Sequence, residues 1–152
     1  MISRLNRRRL VRMAKKILSN RVLFDKMKQN SRNGSFNTFI KLTENWAMKC
    51  CTREGQTVYR NQRRAWRCGC GPFCFGLMRQ KMEFGYGEFA YITEIVSTQI
   101  DRNDYWNNRY EKKISHIRIK MEKKASFQWT DRHSGNFGFK ASTLVCIDFD
   151  QF

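Results

Sequence analysis

Thirty Lys and Arg stand against thirteen Asp and Glu in this chain, a formal charge of +17 at pH 7, and that imbalance restricts its fold more than any other feature. Uncompensated like charges repel across a compact state, so they must be spread over a surface or neutralised by a polyanion. Solubility needs far less charge, and of either sign. A phosphate-bearing partner explains the excess better; an anionic membrane surface is the second explanation on charge alone. A core is still within reach, because 41% of the residues are hydrophobic and twelve Phe, five Tyr and four Trp supply large rings. A wholly disordered basic tail lacks such residues.

The 152 residues suit one domain or a domain with an extension. The chain holds no apolar run long enough to cross a bilayer, so no transmembrane segment is expected. Its first residues, MISRLNRRRL, lack the apolar stretch of a secretory signal. Cytoplasm, nucleus, organelle matrix or a virus particle is the expected location, not the secreted fraction, and six cysteines there suggest thiols or metal ligands more than disulfides.

Residues 1–33 carry eleven Lys or Arg and a single acid, Asp25. They read as a basic helical arm attached to one α+β domain over 34–152, with a loop-rich cysteine segment at 68–87. Within the arm Leu10, Ile17 and Phe24 recur every seven residues, a helical period, and Ser19-Asn20 is a capping pair that marks a break or second start. Arg7, Arg8, Arg9, Arg12, Lys15 and Lys16 fill the other faces. Such a helix lays its apolar stripe on a domain and its charge on phosphate; a membrane or an acidic protein would take the same face.

Beyond the arm, Phe36, Ile40, Thr43, Ala47 and Cys50 follow helical spacing, which predicts a helix over 36–49. Residues 56–67 fit helix or strand. Residues 88–98 are β-branched and aromatic on both faces, as in a buried strand. Residues 105–114 can form a short helix. Ile117, Ile119 and Met121 alternate with Arg118 and Lys120, Phe127 and Trp129 alternate with polar residues, and period two returns from Phe137 to Phe149. These runs predict strands of an antiparallel meander. The expected fold is therefore α+β, with basic N-terminal helices followed by an antiparallel β-sheet or small β-barrel.

Arg60, Arg63, Arg64 and Arg67 form one face if 56–67 is helical, with Tyr59 and Trp66 alongside. Like charges at that spacing repel by a few tenths of a kcal/mol per pair, so the row invites an anion; alternatively it is a solvated face. Arginine suits phosphate because its planar fork binds two oxygens and also stacks on bases. Arg118 and Lys120, placed side by side on a strand, would add to the basic surface. Cys51, Cys68, Cys70 and Cys74 are candidate ligands for a structural zinc ion, with His116 or His133 as further donors; buried inert thiols are the alternative.

Asn136-Phe137-Gly138-Phe139-Lys140 is similar to the aromatic signature of RRM and cold-shock domains, whose exposed rings stack on bases; packed inward, the same rings would be core. Phe84-Gly85-Tyr86-Gly87, Ile92 to Val96, Asp104-Tyr105-Trp106 and His116 to Lys120 together resemble the run found in PUA-like domains of the EVE and ASCH type. The resemblance covers roughly residues 84–121 and implies a small β-barrel that binds RNA or modified bases. It assigns no pocket residue to a position here.

No P-loop, Rossmann glycine fingerprint or G-x-S-x-G elbow is present. Asp148 and Asp150 with Glu83 could hold Mg²⁺ for a nuclease, which is the minor alternative. The expectation is a protein that binds RNA or DNA, RNA foremost, by phosphate neutralisation and aromatic stacking within a ribonucleoprotein. A structural protein of a virus particle or organellar ribosome would share the same physics.

Overall fold

The computed structural model describes residues 1–29, 37–51, 54–80, 87–96, 98–99, 103, 108–126 and 136–147. The elements run α1 (Arg4–Leu18), α2 (Arg21–Gln29), β1 (Asn37–Lys41), β2 (Trp46–Cys51), α3 (Gly55–Arg67), β3 (Cys74–Arg79), β4 (Phe89–Glu94), β5 (Thr98–Gln99), α4 (Glu111–Lys120), β6 (Phe137–Lys140) and β7 (Thr143–Cys146). The fold is α+β: N-terminal helices, a four-stranded antiparallel sheet and a separate hairpin extended by a short strand. Among the described residues no barrel closes.

Two compact units divide the chain, one formed by 1–56 with 74–95 and the other by 57–73 with 96–152. The helices of the basic segment share a unit with the four-stranded sheet, and most of α3 belongs with α4 and the hairpin in the other.

In the first unit the strand order is β1-β2-β4-β3, all antiparallel. β1 and β2 form a hairpin where a helix over 36–49 was expected. Leu42 N–H donates to the Trp46 carbonyl at 2.8 Å, and Lys41 Nζ meets Glu44 Oε2 at 2.9 Å across the turn. Thr38, Ile40 and Thr43 are β-branched and lose rotamer freedom in a helix, and pairing on the sheet overrides the helical spacing of a few apolar residues. β2 and β4 occupy the centre, and Ala47 to Cys51 are buried without alternation, as in a strand covered on both faces.

Ser3 caps α1 by accepting from the Asn6 N–H at 3.2 Å, and Asn20 caps α2 by accepting from the Leu23 N–H at 3.0 Å. The capping pair therefore does mark the joint between two helices, with Ser19 ending the first. Leu10, Ile17 and Phe24 are all buried, joined by Ala14. α1 packs on β3 and β4, and α2 on β1.

In the second unit, α3 is a helix that buries Val58, Asn61, Gln62 and Ala65 along one stripe. It closes in a Schellman turn: Cys70 N–H donates to the Ala65 carbonyl at 2.8 Å and Gly69 N–H to the Trp66 carbonyl at 2.9 Å, with Gly69 at φ 74°. Glycine takes that left-handed geometry without a β-carbon penalty. The buried Gln62 amide donates to the Pro72 carbonyl at 3.2 Å, and Cys146 N–H donates to the Cys70 carbonyl at 2.8 Å, tying β7 to the turn after α3.

Residues 111–120 are helix α4, which continues as a π-helical turn over Met121–Ala125. The strand expected at Ile117, Ile119 and Met121 is not there. Ile117 and Met121, one turn apart, are buried while Ile119 is 44% exposed, which is the helical reading of the same three residues. The period-two run from Phe137 is two strands turning at Ala141 and Ser142, with Lys140 opposite Thr143.

Candidate nucleic-acid interface

α3 supplies one basic face. Its stripe of Val58, Asn61, Gln62 and Ala65 is turned inward, which leaves Arg60, Arg64 and Arg67 exposed and Arg63 half-buried on the other side. The segment that fitted helix or strand is a helix, so the four-arginine row is real. Its two aromatic neighbours are each engaged within the fold. The Arg63 guanidinium sits 5.7 Å from the Tyr59 ring centroid, and the Trp66 ring lies 4.8 Å from that of Phe73 at 59°. Trp66 nevertheless stays 36% exposed.

Two arginines of this row, Arg64 and Arg67, also line a cleft of about 550 Å³ with Cys68, Lys120, Lys124, Ala125 and Ser126. The Schellman turn ends α3 here, and Ser126, at φ 51°, ends the π-turn with its N–H on the Met121 carbonyl. Two helix C-termini therefore meet at the cleft, each bringing about half a negative charge. Four full positive charges outweigh that. Arg64 and Arg67 come from one helix, Lys120 and Lys124 from the other, and among the described residues no Asp or Glu lines the cleft.

The strand that would have set Arg118 beside Lys120 is a helix, and on a helix residues two apart point roughly 200° away from each other. Lys120 turns into the cleft; Arg118 Nε faces Glu122 Oε1 at 3.9 Å instead. Lys124 was missed by sequence reasoning. It stands in the run Glu122-Lys123-Lys124, and only the helical period from Lys120, four residues earlier, could have marked it.

In the first unit Arg7, Arg8, Arg9, Arg12, Lys15 and Lys16 lie on α1 with a fifth arginine, Arg4, that sequence reasoning missed. Arg4, Arg7, Arg8 and Arg12 surround Val11 in one surface hollow. Arg7 is half-buried with its guanidinium 5.7 Å from the Phe75 ring centroid, and Phe75 in turn meets Trp46 edge-on at 5.5 Å. Arg8, Arg9, Arg12, Lys15 and Lys16 are exposed. The first turn of α1 holds no acid, so its positive dipole end adds to the arginine charge.

The four cysteines named for zinc divide between the units, Cys51 and Cys74 in the first, Cys68 and Cys70 in the second. Within the first sheet Cys51 stands opposite Phe89 and Cys74 opposite Thr93, four residues or about 13 Å apart along β4. Among the described residues no group of three or more His, Cys, Asp or Glu is placed to hold a metal ion. Burial pushes the Cys70 thiol up to about 12, and its proximity to Cys68 adds to that, against the pull of Lys120 and Lys124. Cys70 Sγ faces the carbonyls of Cys68 at 3.7 Å and Ile117 at 3.9 Å. Burial likewise takes Cys50 to about 12, with Cys51 adding to the rise and Lys28 opposing it. At neutral pH both thiols are protonated.

Phe137 is fully buried, and Phe139 packs edge-on against Tyr110 at 5.5 Å. The aromatic pair of the hairpin thus serves the core on one side and a ring contact on the other, not a base-stacking platform like that of an RRM. Of the PUA-like run, Ile92 to Glu94 lie on β4 and His116 to Lys120 on α4, where the resemblance implies a strand; 84–86 and 104–106 lie outside the described residues. Asp148, Asp150, Glu83 and His133 lie outside them too, as do Phe127 and Trp129. No protein-family model matches the chain and no curated protein matches its sequence. Among the described residues no helix is long and apolar enough to cross a membrane.

Proposed function

We propose that this chain is a nucleic-acid-binding protein, acting on RNA foremost, and that it works by binding within a ribonucleoprotein and not by catalysis. The observation that carries the reading is the arginine face of α3. Arg60, Arg64 and Arg67 are exposed on the side opposite a buried stripe, at spacings where like charges destabilise an isolated helix. A polyanion turns that repulsion into attraction, and each arginine can take two phosphate oxygens at once. The α1 face, with Arg4, Arg7, Arg8 and Arg12 around one hollow, supplies a second basic surface. Trp66 adds an aromatic edge for an unpaired base. Half or more of such contacts go to phosphate and sugar and carry no sequence information, so the preference among sequences is modest.

The test is fluorescence anisotropy of the full chain with labelled single- and double-stranded RNA and DNA of one sequence. Binding to RNA that weakens at least tenfold when Arg60, Arg63, Arg64 and Arg67 become Ala, with the fold intact by circular dichroism, is the expected result. No binding to any of the four nucleic acids, or binding indifferent to the quadruple change, contradicts it.

A further inference from the structure

The cleft at the end of α3 draws its cations from two helices, whereas the α1 hollow takes all of its from one. A phosphodiester backbone presents one charge per phosphate in a line, which a row along a helix matches. Here the cations converge. Arg64 and Arg67 from α3 and Lys120 and Lys124 from the other helix face a single volume of about 550 Å³, inside the range of small-molecule pockets, roughly 300–1,000 Å³. Lys120 Nζ comes within 3.9 Å of where a β-carbon on Gly69 would stand, and both lysines act on the buried Cys70 thiol. The Lys120 ammonium is therefore held over the turn, and the exposed Lys124 stands at the rim of the cleft. Among the described residues Ser126 adds a hydroxyl to the lining and no carboxylate does.

A terminal phosphate fits this arrangement. A phosphate monoester carries about −1.5 to −2 charges and three acceptor oxygens, and a di- or triphosphate carries more, all within a few ångströms. We propose that this cleft binds the phosphorylated end of a nucleic-acid strand, with Arg64 and Arg67 as forked donors and Lys120 and Lys124 as point charges on the outer oxygens. The inference rests on the nucleic-acid reading and sharpens it: the arginine face follows the strand, and the cleft takes its end.

The experiment compares one short single-stranded RNA carrying a 5′-hydroxyl, a 5′-monophosphate, a 5′-triphosphate or a 3′-phosphate, by anisotropy on the full chain. At least one phosphorylated end is expected to bind about tenfold or more tightly than the hydroxyl end. That advantage should fall towards one in the Lys120→Gln/Lys124→Gln double variant, and in part in Lys124→Gln alone, whose exposed side chain leaves the fold undisturbed. Equal affinity for all four ends overturns end recognition and leaves the phosphodiester reading standing. An end advantage that survives the double variant overturns the assignment to this cleft. Absence of binding to every RNA overturns both.

Discussion

The guanidinium of Arg63 lies 5.7 Å from the ring centroid of Tyr59, one helical turn earlier, and its Nη1 stands 3.4 Å from the phenolic oxygen. The arginine row and its flanking aromatics are thus not independent. Tyr59 is engaged by a member of the row, so Trp66, 36% exposed and tilted against Phe73, is the ring better placed to meet a base. Trp66→Ala is expected to weaken binding of single-stranded RNA by about 1–3 kcal/mol and to affect duplex less, because a paired base offers no free face. Anisotropy titrations with both forms check this; equal losses on the two speak against stacking.

Gly55 begins α3 at a point where no side chain fits. A β-carbon there would stand 2.8 Å from Cβ of Phe89 and 2.9 Å from Cβ of Cys51, atoms fixed to the backbone of two strands. Gly55→Ala is expected to destabilise the protein by about 1–3 kcal/mol, the usual range for overpacking. Urea denaturation would register the change as a lower midpoint with an unchanged slope, and a wild-type midpoint would contradict the contact.

Ser126 at φ 51° and Ala141 at φ 54° are among the non-glycine residues in the left-handed region. That conformation costs an L-residue roughly 1–2 kcal/mol, from which the extra chain entropy of glycine, about 0.5–1 kcal/mol, must be subtracted. Ser126→Gly and Ala141→Gly should each raise stability slightly, by up to about 1 kcal/mol. A loss in either variant would mean that the native side chain makes a contact worth more than its strain.

The cysteines give a chemical readout. Cys68 is half-buried beside the lysines of the cleft, whereas Cys50, Cys51, Cys70, Cys74 and Cys146 are buried. Iodoacetamide should label Cys68 first in the folded protein, and tripolyphosphate should slow that labelling; peptide mass mapping reads both. Cys50 and Cys70 have their thiols raised to about 12 from an ordinary value of 9.0. In the unfolded chain they lose protons near 9, in the folded protein not until near 12, so the native state holds more protons across that window. Stability is therefore fully present below pH 9 and declines as pH rises from about 9 to 12. Thermal melts across that range, with Cys50→Ala as comparison, should show the decline reduced in the variant.

Which parts of this fold are legible in the sequence follows from how many residues each pattern spans. Leu10, Ile17 and Phe24, with Ser19-Asn20 between them, span two helices, and both the buried stripe and the capped joint are found where that spacing puts them. The helix expected over 36–49 rested on Phe36, Ile40, Thr43, Ala47 and Cys50, of which Phe36 lies outside the described residues. β2 is buried on both faces, so its residues show no alternation to betray a strand. The opposite error arose at Ile117, Ile119 and Met121, where three residues satisfy period two by chance and the exposed Ile119 breaks the pattern only once the helix is seen. At the candidate site the α3 row was readable because one short segment holds all four arginines. The cleft was not, because Lys120 and Lys124 are brought to Arg64 and Arg67 by packing between segments more than fifty residues apart.

The most direct measurement of the central claim is the salt dependence of RNA binding by the wild-type chain and by the Arg60→Ala/Arg63→Ala/Arg64→Ala/Arg67→Ala variant. Each phosphate neutralised contributes about 0.7 to the slope of log K against log salt for a single strand. The wild type should fall steeply, and the variant should be shallower by about 2–3 if three or four of those arginines meet phosphate. Salt-insensitive binding, or the same slope in both proteins, would contradict phosphate neutralisation by α3.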